Sequence, residues 1–176
     1  MLAGLLDRPN AHLRGCACAC ERSLSLMHPA LGRRLAAFAG WLGRRSWFEI
    51  DEIYRATFDS DGWCPASVTW HLFPPARRAA FLVRLAAYYR LQGFSPGGQL
   101  PDHVSTLLRF AAGDPLATQA DGIIEFCVRP ALRRMRARLE SCHPYATALD
   151  AVILYLAITQ SSRHPEARAA QRPAAD

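Results

Sequence analysis

The chain contains no lysine: all 21 of its basic side chains are arginine. Alanine is abundant along the whole sequence, so the missing lysine reflects a chain-wide compositional bias. The net charge of +6 is therefore weak ground for a phosphate-binding face. Also missing is any apolar run of the roughly 20 residues that a membrane-spanning helix needs. The longest, "YATALDAVILYLAI", is shorter and carries Asp150. The opening "MLAGLLDRPN" has neither a basic leader nor a cleavage site, from which a cytoplasmic protein is expected. No segment shows sustained strand alternation. No G-x-S-x-G, Walker A, H-E-x-x-H or dinucleotide fingerprint occurs, which removes the motif-based case for the commonest hydrolases, nucleotide-binding enzymes and zinc proteases.

What is present is a chain of 176 residues, 51% apolar and 20% charged, the balance of one ordinary globular domain. Its periodicity is helical nearly everywhere. A short helix, "LAGLLD", stops before Pro9. In "PALGRRLAAFAGWLGRR", Leu31, Leu35, Phe38 and Leu42 recur at helical spacing behind Pro29, which suits a first turn. "SWFEIDEIYRATF" opens with Ser46 and Glu49 as a capping box and aligns Ile50, Ile53, Tyr54 and Phe58, with Thr57 beside them. "DSDGWCP" breaks the pattern; "ASVTWHLF" is brief; "ARRAAFLVRLAAYYRLQGF" is a long helix ended by Gly93. "LPDHVSTLLRF" then starts a helix for which Asp102 is the expected N-cap. Helices are expected through residues 116 to 140 and 145 to 160, and a disordered tail over 161–176. The expectation is an all-α, single-domain compact helical bundle over residues 1–160.

Several constellations bear on chemistry. Cys16, Cys18 and Cys20 fall within five residues; on a helix Cys16 and Cys20 share a face and Cys18 points away. Zinc sites favour spaced pairs drawn from two places in the chain, so small packed residues are the simpler reading. Cys64 with His71, or Cys142 with His143, would be catalytic pairs only if the fold aligned them. Asp102 and His103 are adjacent, and on a helix neighbouring side chains diverge by about 100°. The arginine-rich stretch 129–138 is either a solvated face or, in the alternative function, the surface of a helical nucleic-acid-binding regulator. Residues 49–61 gather Glu49, Asp51, Glu52, Asp59 and Asp61 around Ile53, Tyr54 and Phe58. That pattern fits an amphipathic helix with a charged outer face, or a groove for a peptide bearing apolar and basic residues.

The order of several short motifs resembles the NarJ/TorD/DmsD superfamily of redox-enzyme maturation chaperones, nearest its nitrate reductase delta-subunit branch. "LAGLLDRPN" is similar to that family's leucine-rich start and proline turn. "YRATFDSD" resembles its Tyr-x-x-x-Phe-Asp segment, "CPASV" its loop with proline before serine, and "LPDHVSTLLRF" its Pro-Asp-His helix opening. "RLESCHPYATALDAV" is similar to its last helix. The motifs span about residues 1 to 160 in order; at 63–65, "WCP" stands where related chaperones often carry a proline pair. The resemblance implies a cytoplasmic protein, monomer or dimer, without catalytic turnover, metal or cofactor of its own. Such a chaperone binds the N-terminal or twin-arginine segment of a molybdopterin oxidoreductase catalytic subunit, nitrate reductase-like or type II dimethyl sulfoxide reductase-like. It assists molybdenum cofactor insertion and delays export. Carried over by motif, Tyr54, Phe58, Asp59, Pro65, Ser67, Asp102 and His103 are the expected peptide-binding positions, with Asp102 offering charge to a basic peptide.

Overall fold

The computed structural model describes residues 1–113 and 118–163, with side chains for 1–113 and 121–160. Within these the chain is all-helical, and its one β feature is an isolated antiparallel bridge between Ser67 and His103. A tight turn of helix over Leu2–Leu6 leads into α1 (Leu13–Ser25), α2 (Pro29–Gly43), α3 (Trp47–Phe58) and the short α4 (Val68–Leu72). There follow α5 (Pro75–Leu91), α6 (Val104–Gly113), α7 (Thr118–Ile123), α8 (Arg129–Arg138) and α9 (Pro144–Arg163). The tail expected beyond Ser161 lies outside the described residues from 164 onward.

Local chemistry sets the helix ends. At α3 the Ser46 hydroxyl accepts from the Glu49 amide, and the Glu49 carboxylate accepts from the Ser46 amide at 2.8 Å. This is the capping box that the sequence spells. α5 ends in a Schellman turn: Gly93 takes a φ of 66°, its amide bonds to Arg90 O, and the Phe94 amide reaches Tyr89 O at 2.9 Å. The left-handed position costs glycine nothing, and the Phe94 ring closes the motif against Tyr89, centroids 4.9 Å apart.

Burial follows the helical stripes. Leu31, Leu35, Phe38 and Leu42 are all inaccessible, so the 3.6-residue period of α2 faces one side inward. α2 lies against both α1 and α9. Gly32 makes the first of these approaches possible, since a Cβ there would sit 2.8 Å from the Ser25 backbone. From α9, Tyr145 packs its ring against Phe38, Tyr54 and Phe58 at 5.1–5.8 Å. α5 is different: only Leu85 and Tyr89 of its 17 residues are buried.

The continuous helix expected over 116 to 140 is interrupted. Residues Ile124–Val128 form a π-turn, in which the Arg129 amide bonds to Ile124 O, five residues back. Pro130 follows directly; it has no amide hydrogen and its ring crowds the preceding turn, so the widened turn accommodates it at the start of α8. α9 begins at Pro144 and runs on to Arg163, slightly beyond the expected span. No helix among the described residues is long and apolar enough to cross a membrane.

Candidate functional site

The Ser67–His103 bridge brings the loop before α4 beside the start of α6. Val68 N–H donates to Asp102 O, and Val104 N–H to Ala66 O, both at 2.9 Å. This pairing fixes the Asp102 side chain at the N-terminus of α4. Its Oδ2 accepts from the Ser67 hydroxyl, from the Thr69 amide at 3.1 Å and from the Thr69 hydroxyl at 2.5 Å. Ser67 in turn accepts from the Trp70 amide at 3.1 Å. A carboxylate beside the amides of a helix N-terminus that lack intrahelical partners is a favourable placement.

Two expectations are corrected here. Asp102 does not cap the helix it precedes: α6 begins at Val104, and His103 O accepts the Leu107 amide. His103 holds the N-cap position, its Nδ1 accepting from the Ser105 amide at 3.3 Å. Nor does Asp102 present charge to an incoming basic peptide. It is 1% exposed, and its bonded oxygen already serves α4.

His103 belongs to a second buried set of polar contacts. Tyr54 donates its hydroxyl to Leu6 O at 3.1 Å, so His103 Nε2–H is the donor across the 3.2 Å contact to Tyr54. The Ser105 hydroxyl lies between two acceptors, His103 Nδ1 at 2.7 Å and Asp7 Oδ1 at 2.6 Å, and its one proton serves both. Arg109 closes the series through an ion pair with the other Asp7 oxygen. Burial lowers the His103 pKa to about 4, with Asp7 and Asp102 pulling the other way. The ring is neutral at pH 7, and burial likewise keeps the Tyr54 phenol protonated.

Of the other expected positions, Phe58 is in the core against Tyr54. Pro65 is buried, its carbonyl accepting from His71 Nε2 at 2.8 Å. Asp59 ends α3 and pairs with Arg55 at 3.7 Å. Tyr54, Ser67, Asp102 and His103 are therefore brought together, but as an inner wall. Sequence reasoning assigned no role to Asp7, Thr69, Ser105 or Arg109. The four-residue spacing of Ser105 and Arg109, one helical turn, was the available signal.

Arg109 leads outward. With Leu108, Ala111 and Ala112 of α6 it lines a cleft of about 410 Å³, closed by Leu2 and Ala3 on one side and Val152 and Leu156 on the other. Its walls are mainly apolar, and its volume is within the range of small-ligand and side-chain pockets.

The remaining candidates separate. Cys64 donates to Met135 O while His71 bonds to Pro65, and Cys142 contacts Glu140 while His143 bonds to Thr57. Each member of the two Cys–His pairs is thus engaged elsewhere. Among the arginines of 129–138, Arg129 pairs with Glu125 and Arg136 with Asp150. Arg134 donates to His71 O and Arg138 to Trp63 O. These side chains hold the fold together, which leaves less of a basic face than the sequence spacing implies. No group of three or more potential metal ligands occurs among the described residues. No protein-family model matches the chain, and no curated protein shows significant similarity to it.

Proposed function

We propose that the chain is a cytoplasmic peptide-binding chaperone of the NarJ/TorD/DmsD type. Its client is the catalytic subunit of a molybdopterin oxidoreductase, engaged through an N-terminal or twin-arginine segment. The chaperone holds this subunit for cofactor insertion and assembly and delays its export. One observation carries the reading. Tyr54, Ser67, Asp102 and His103, drawn from separate motifs, are linked through hydrogen bonds and the Ser67–His103 bridge. The same contacts run on through Ser105 and Asp7 to Arg109, at the edge of an apolar cleft. In this reading the motif residues lie behind the cleft and reach it only through Ser105, Asp7 and Arg109, and the cleft takes the apolar part of the peptide. Burial at about 25 cal/mol per Å² supplies the affinity; basic residues of the peptide add orientation and encounter rate.

The test is fluorescence anisotropy with a labelled N-terminal peptide from a molybdopterin oxidoreductase catalytic subunit, against a scrambled control. Ala112 is exposed at the cleft, so Ala112→Trp fills the space without disturbing the core. Saturable binding by the native chain, weakened about tenfold or more (about 1.4 kcal/mol) in Ala112→Trp with unchanged helicity, is expected. Absence of saturable binding, or equal binding by both proteins, overturns the proposal.

A further inference from the structure

The short helix α4 ends in carbonyls that arginines from two other elements satisfy. Arg78 of α5 donates to Trp70 O at 3.3 Å and to Phe73 O at 3.1 Å, and Arg134 of α8 donates to His71 O. Arg138, one helical turn beyond Arg134 on the same face of α8, donates to Trp63 O at 3.3 Å. Two of these groups also meet on one ring. The guanidinium carbon of Arg138 is 4.7 Å from the centroid of the Trp70 ring and that of Arg78 is 5.8 Å away, both within cation–π range. All three charges reach the buried imidazole of His71. Its pKa is lowered first by burial and then by Arg138, Arg134 and Arg78, while its contact with the Pro65 carbonyl pulls the other way.

Holding α4 takes only part of these groups. A guanidinium has more N–H donors than these bonds use: Arg78 has two engaged, Arg134 and Arg138 one each. Arg134 and Arg138 are exposed and Arg78 is half-buried, so donors are left over at the surface. No carboxylate among the described residues forms an ion pair with any of the three. Like charges held this close repel one another, and an anion that bonds to all of them relieves the repulsion. We propose that Arg78, Arg134 and Arg138, gathered around Trp70, bind a phosphate dianion, free or as a monoester. Arginine forks match phosphate oxygens bidentately, and the Trp70 ring and the α4 carbonyls fix the forks before the ligand arrives. A carboxylate brings a single charge and answers only part of the cluster. A phosphodiester also brings a single charge per group and strings its groups along a backbone, whereas these arginines converge on one ring. None of the three lines the apolar cleft, so this site stands apart from the peptide-binding reading.

The test is isothermal titration of the whole chain near pH 8 at constant ionic strength. The probes are inorganic phosphate and methyl phosphate, with dimethyl phosphate and acetate as singly charged controls. Saturable binding of the two dianions, about tenfold or more tighter than either control, is expected. Whichever dianion binds tighter identifies the source, free phosphate or a monoester. Arg138→Gln should weaken that binding about tenfold or more. Arg133→Gln removes the same charge from a position about 100° round α8 from Arg134 and should change the affinity by less than about twofold. Circular dichroism checks that each variant is folded. A further readout needs no arginine variant: the Trp70 indole N–H resonance, assigned by its loss in Trp70→Phe, should shift in the native chain with the same midpoint. Absence of saturable binding, equal binding of acetate or dimethyl phosphate, equal losses in the two arginine variants, or an unmoved Trp70 resonance would each overturn the proposal. Binding of duplex DNA without binding of methyl phosphate would also overturn it, in favour of a nucleic-acid surface.

Discussion

Replacing Asp102 by asparagine removes the charge from an oxygen that accepts three hydrogen bonds at the start of α4. An exposed cap would tolerate this change, since asparagine caps as well as aspartate. A buried acceptor of charge-assisted bonds does not. Asp102→Asn is therefore expected to lower stability by about 1–3 kcal/mol, read as a shift of the urea midpoint at unchanged slope. An unaltered midpoint would return Asp102 to the role of a simple cap. His103 gives a pH dependence. Its folded pKa of about 4 lies below the unfolded value of about 6.5. Between those limits the unfolded chain binds the extra proton, so stability rises with pH. It is complete above the unfolded pKa and is lost as pH falls through 6.5 toward 4. His71 and His143 are shifted in the same direction by burial and add to the slope. His103→Gln should flatten the fall in melting temperature between pH 7 and 4.5 relative to the native chain; an equal slope in both proteins refutes the assignment.

At the scale of elements, the α1–α2 pair depends on Gly32. A methyl group there would meet the Ser25 backbone at 2.8 Å. Backbone cannot swing aside as a flexible side chain can, so Gly32→Ala should cost about 1–3 kcal/mol as an overpacked contact, measured by thermal melting. α5 makes the opposite prediction. With two buried residues in 17, it has little to hold it against local opening. Its mid-helix amides are expected to exchange with deuterium faster than those of α2 under native conditions. Comparable protection of both would show that α5 is held by more than its packing. These elements also mark what the sequence made legible. The α2 stripe, the α3 capping box and the shared face of Cys16 and Cys20 are periodic or local signals, and the structure reproduces them. The π-turn was hidden because Pro130 announces an adjustment without saying which kind. The role of Asp102 was hidden because Ser67 and Thr69, its partners, lie 33–35 positions away.

For the whole molecule, the same long reach governs how the fold is assembled. The apolar stripes of α1 and α2 meet across a short turn and can dock early. The polar contacts at the inner wall instead join distant positions. Ser105 and Asp7 are 98 apart, Tyr54 and His103 49, and Ser67 and Asp102 35. Each closure carries a loop entropy that grows with the logarithm of its length, and contacts of high sequence separation slow folding. The inner wall should thus form after the rate-limiting step, once the helices are nearly in place. Ser105→Ala would then leave the refolding rate in stopped-flow almost unchanged and accelerate unfolding. A folding arm that slows in parallel with the lost stability would place these contacts in the nucleus. A wall that closes last also opens first. What loosens first is then the set of polar contacts from Asp7 through Ser105 to Arg109 beside the cleft, while Leu5 and Leu6 of the same N-terminal segment stay held in the apolar core.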